Sequence, residues 1–114
     1  MSAQVRAELA AAASSVEVIR CRPYYTQDTR VGAAFVRLDR VEDPNPFGGV
    51  AHWVVVVVLD QDLAAAEKFI EDQLPALVEA LQPVLVVTSA LPQRMEFPDA
   101  GVLPCVFING HREA

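Results

Sequence analysis

Paired carboxylates, two imidazoles and two thiols are the groups of this chain that could do chemistry. Asp60-Gln61-Asp62, directly after a long apolar run, is the arrangement best placed to hold a divalent cation. The same two acids also suit a helix start, and the apolar spacing that begins at Leu63 makes capping the simpler use. His52 precedes the apolar run and His111 lies near the C-terminus; either needs a nearby nucleophile to serve as a general base, and neither has one in sequence. Cys21 and Cys105 have no close cysteine or histidine partner of the zinc-finger kind, and they read as small buried thiols in a reducing cytoplasm. Ser14, Ser15, Thr88 and Ser89 lack a nucleophile elbow. Gly48-Gly49 sits in an acidic connection and not between a strand and a helix, so neither acyl transfer nor phosphate cradling is supported. Asp39, Glu42 and Asp43 gather near that connection, where a solvated acidic loop accounts for them better than a metal. Arg20, Arg22, Arg30, Arg37 and Arg40 are scattered among acids, as in a salt-bridged surface or a subunit contact. These residues assemble no catalytic set, metal site or cofactor site, and the chain reads as an interaction protein and not an enzyme.

The elements that must position these groups are organised around Trp53 to Leu59, which contains five consecutive valines. Side chains stiff at χ1 fit a pleated strand, and an apolar run without alternation needs cover on both faces. A central strand is therefore expected, with strands on either side, a helix on one face and something further on the other. Val5, Leu9 and Ala12 or Ala13 recur at helical spacing over residues 3–13, with Ser2 as a cap. Val16 to Cys21 reads as a first strand, closed by Arg22-Pro23. Residues 23–32 form a polar loop carrying Tyr24 and Tyr25. Ala33 to Val41 is a second strand, and residues 42–49 a broad acidic hairpin tip leading back to the central strand. The main helix is expected over 61–81, kinked or divided by Pro75. Val84 to Thr88 is a strand that runs on irregularly as far as Glu96. Residues 97–101 turn the chain, Val102 to Asn109 is a last strand with Pro104 at an edge or bulge, and residues 110–114 are a polar tail. The order α-β-β-β-α-β-β describes an α+β fold, a mostly antiparallel sheet packed by two helices in a single domain, 1–114.

Composition limits the function. Of 114 residues, 53% are hydrophobic but only 7% aromatic, an excess of Ala, Val and Leu that suits self-association. A net charge of −6 argues against gripping a phosphate backbone. No stretch has the pattern of a signal peptide or the length of a membrane span.

Read as a whole, the chain resembles the tail terminator (tail completion) proteins of long-tailed bacteriophages, in the short form found in phages of actinobacteria. The resemblance lies in the Val5-Arg6-Ala7-Glu8-Leu9 helix, Pro23-Tyr24-Tyr25, Val36-Arg37-Leu38, the passage from Trp53 to Ile70 with its Asp-Leu-Ala-Ala-Ala-Glu core, and the ending Gly110-His111-Arg112-Glu113-Ala114. It implies a virion protein of the neck, made in the host cytoplasm. Such a subunit forms a homohexameric ring on the head-proximal end of the tail tube, stops tube polymerisation and meets the head connector. Its partners would be itself, the tail tube protein and the head–tail connector proteins. DNA would pass through without specific binding, and no membrane is involved. Tyr24, Tyr25, Phe47 and Arg112 are the contact residues expected from type and position, the alternative for Tyr24 and Phe47 being that they cover the ends of the core. Glu42 and Asp43 are expected to face the channel, where negative charge would repel DNA. The rival expectation is a small cytoplasmic regulatory or ligand-binding α+β domain. A third is an enzyme using Asp60, Asp62 and His52 around a divalent ion.

Overall fold

Five valines in a row leave apolar side chains on both sides of a strand, and the chain places a layer over each. The computed structural model describes residues 2–113. Helix α1 spans Ser2–Ser14, strands β1, β2 and β3 span Arg20–Arg22, Ala33–Asn45 and Gly48–Val58, helix α2 spans Leu63–Leu81, and strands β4 and β5 span Val86–Phe97 and Gly101–Glu113. The α+β fold and element order are those expected. The strands lie in the order β1-β2-β3-β5-β4, so the valine strand is the middle one, antiparallel to β2 and β5. Among the described residues, the single parallel pairing is β1 with β2.

Alternation along β3 separates the two layers. Trp53, Val55 and Val57 face both helices and pack with Leu9, Ala13, Leu77 and Leu81. Val54, Val56 and Val58 face the other way, against Phe35, Phe97, Leu103 and Phe107. The second face is covered by the molecule's own β4–β5 hairpin, whose far end bends over the sheet. Tyr25 bridges it, meeting the Phe35 ring edge-on at 5.2 Å and stacking on Phe97 at 6.2 Å.

Helix α2 begins as its acids predict. Asp62 accepts from the Ala65 N–H, and Asp60 accepts from the Asp62 N–H. It then runs unbroken through Pro75, contrary to the expected division. Pro75 lies on the exposed face, where water can satisfy the carbonyl its ring leaves unbonded.

Three other expectations change, and the expected edge position of Pro104 holds. The first strand is three residues long, because the Ser15 to Ile19 stretch is taken up by turns, with Val16 N–H donating to Ala13 O and Ile19 N–H to Val16 O. The second strand continues to Asn45, so the broad tip becomes a two-residue turn, Pro46-Phe47. Residues 110–113 are not a tail. They extend β5 against β3 as far as the Val50–Glu113 pair. Pro104 sits where the β3 ladder has just ended at Val58–Cys105, and its carbonyl accepts from the Leu59 N–H at 2.9 Å. Its missing N–H therefore costs the ladder nothing there. The side chain of Ser2, on which the α1 cap falls, and Ala114 lie outside the described residues.

Candidate assembly surfaces

The β2–β3 hairpin outruns its neighbours. Beyond the Val50–Glu113 pair it has no strand beside it among the described residues, and it projects as an arm. Asn45 shapes the tip, donating to Asp43 O and accepting from the Phe47 N–H at 2.8 Å. Asp43 is held at φ +49°, a left-handed conformation that short polar side chains tolerate. Phe47 stands at the very tip, 95% exposed, so it covers no part of the core.

The base of the arm has two unlike faces. On the helix side, Leu38 opposes Trp53 and Val41 opposes Ala51, and with Val5 they line an apolar groove of about 440 Å³. The Trp53 indole is buried, and its N–H has no partner among the described residues. On the other side, Arg40, His52 and His111 stand in one cross-strand row, the two imidazoles 5.7 Å apart. Glu42 does not present a free charge: Arg40 approaches it to 2.8 Å and binds Asp39 as well. His52 Nε2 comes within 2.9 Å of the same carboxylate but lacks the alignment of a hydrogen bond. Asp43 has no ion-pair partner among the described residues.

Tyr24 and Tyr25 are both about half exposed, yet both are tied to the core. The Arg6 guanidinium lies 4.4 Å from the Tyr24 ring centre and 5.3 Å from that of Trp53. It also donates to Pro23 O and Val36 O, each at 3.0 Å. Tyr24 thus covers the end of the core while presenting its outer surface, and Tyr25 does the same over Phe35. Arg112 belongs to the sheet. It pairs with Glu8 at 2.9 Å and donates to Val84 O, holding α1 against β5. The structure does not bring Tyr24, Tyr25, Phe47 and Arg112 into one patch.

Burial raises the Cys21 thiol to about 12 and the Cys105 thiol to about 11, which disfavours the thiolate in both. Arg30 hydrogen-bonds Asp28 and lowers its carboxyl to about 2. Among the described residues, no three acids, histidines or cysteines are placed to hold a metal ion. No helix among the described residues is long and apolar enough to cross a membrane. What this arrangement can do is present shaped surface: an arm with an aromatic tip, an apolar groove at its base, and a charged row behind it.

No family model matches the chain, and comparison with curated proteins returns no match. Sequence reasoning missed three features of these surfaces. The Arg6 clasp could not be seen because its acceptors are backbone carbonyls 17 and 30 residues away. The groove needs the helix-to-arm packing, and the His52–His111 row needs the β3–β5 register. A polar ending that alternates around His111 and Glu113 was the one signal for the last.

Proposed function

We propose that the chain is a ring-forming tail terminator that caps the head-proximal end of a phage tail tube, stops tube polymerisation and joins the tail to the head connector. The observation that carries this reading is the arm. A hairpin that leaves the sheet and ends in a fully exposed phenylalanine serves no packing purpose in the isolated subunit, and a rigid aromatic anchor is what a docking contact requires. Further support comes from Leu38, Val41, Val86 and Leu91, which remain exposed where a neighbouring protein would cover them. As virion proteins, assembled copies would sit at the neck.

The test is electron microscopy of particles from the phage that carries this gene, with the gene deleted and then supplied in trans. Filled heads without tails, beside tails of uncontrolled length, are the expected deletion phenotype, reversed by the intact gene. Normal virions from the deletion would overturn the reading.

A further inference from the structure

The negative charge of this chain is not on the hairpin. Asp60, Asp62, Glu67, Glu71, Asp72 and Glu79, opposed by Lys68 alone, give the α2 segment five of the six net negative charges. Glu67, Glu71, Asp72 and Glu79 are all exposed, and their spacing places Glu67, Glu71 and Glu79 along the outward side of the helix. Helix α1 packs on β1 and β2, whereas α2 packs on α1 and β4, so the acidic stripe lies toward the β4 side of the molecule. On the opposite side is the edge strand β1. Its Arg20 and Arg22 are exposed and form no close ion pair among the described residues, Arg20 only helping Arg30 to lower the Asp28 carboxyl from a distance, and Tyr24 stands exposed just beyond them. The acids closest in sequence are Glu17, which is exposed, and Asp28, which Arg30 already neutralises at 2.8 Å.

We infer that these two sides are the two halves of one contact between copies of this chain, the arginine edge of one subunit lying on the α2 stripe of the next. Charge sign selects the arrangement. Because the two patches lie on opposite sides, a two-fold contact could include only one of them and would oppose acid to acid or arginine to arginine, whereas head-to-tail contact sets unlike patches together. Patches on opposite sides of a subunit also leave each copy free to repeat the contact, which is the requirement for a ring. The inference deepens the terminator reading and rests on it for closure of the ring.

Charge reversal tests it. Arg20→Glu with Arg22→Glu makes a subunit acidic on both sides, and Glu67→Arg with Glu71→Arg, flanking Lys68, turns the first half of the α2 stripe basic while Asp72 and Glu79 remain. Sedimentation at low ionic strength should show the unchanged chain associating in a salt-sensitive way and each double variant associating at least about tenfold more weakly. An equimolar mixture of the two variants should recover association, because alternating copies again meet unlike sides. All four substituted positions are exposed, so unchanged circular dichroism and melting temperature should show that both variants fold. The inference fails if the unchanged chain stays monomeric at high concentration and low salt, if either reversal leaves association intact, or if mixing restores nothing. Failure of the terminator reading is a separate result: normal virions from the gene deletion would remove the tail role while a salt-sensitive contact that responds to reversal still stood.

Discussion

Arg6 is the side chain whose loss should be felt most widely, because one guanidinium joins α1, the tyrosine loop and β2. It satisfies two carbonyls and fills the space between Tyr24 and Trp53. Arg6→Ala should lower stability by about 2 kcal/mol, the range for a charged donor lost from partly buried acceptors, as read from urea unfolding. Gly110 is fixed by contact: a Cβ there would lie 2.6 Å from Leu85 Cδ2 and 2.7 Å from Val86 O. Cys21 offers a pH test. Its thiol is raised to about 12 in the folded protein, against about 8.5 for an unfolded cysteine. The protonated form favours folding, so this contribution is whole below about pH 8.5 and declines as pH rises toward 12. Unfolding midpoints between those limits should fall more steeply for the native chain than for Cys21→Ala.

Among the elements, the arm and the second core layer make opposite predictions. Phe47→Ser should leave the unfolding midpoint unchanged, since the ring touches solvent, while removing head–tail joining in the rescue assay. Phe97→Ala, at the end of β4 where it packs with Val54 and Val56, should cost about 3 kcal/mol and loosen Tyr25 with it. The elements that declare themselves in the sequence are those whose own side chains decide them. The valine strand, the capped α2 and the irregular β4 past Pro92 are of this kind. The elements misjudged are those whose limits are set by a partner. Strand β1 is three residues long because only Arg20–Arg22 meet β2. The end of β5 is strand because β3 continues beside it, although His111, Arg112 and Glu113 look like a tail. The candidate surfaces divide in the same way. Phe47 was legible as an exposed aromatic between turn residues, whereas Arg112 and Glu42 are committed to ion pairs that exist only once distant segments meet.

At the scale of the molecule, the two hairpins leave the sheet in opposite directions, one projecting and the other bending back to cover a core face. The feature that unites them is the β3–β5 ladder, nine pairs from Val50–Glu113 to Val58–Cys105, which brings together strands separated by all of α2 and β4. Time enters here. Each hairpin is a local structure of the kind that closes within about 10 μs, and α2 can start from its own cap. Neither hairpin has its valine or aromatic face covered until the long-range ladder closes, and chain entropy opposes that closure. Folding should therefore wait on β3 finding β5, with the most aggregation-prone segment of the chain exposed for that interval. Val56→Ala, in the middle of the ladder, should slow refolding in stopped-flow measurements, and a change at the arm tip should leave the rate alone.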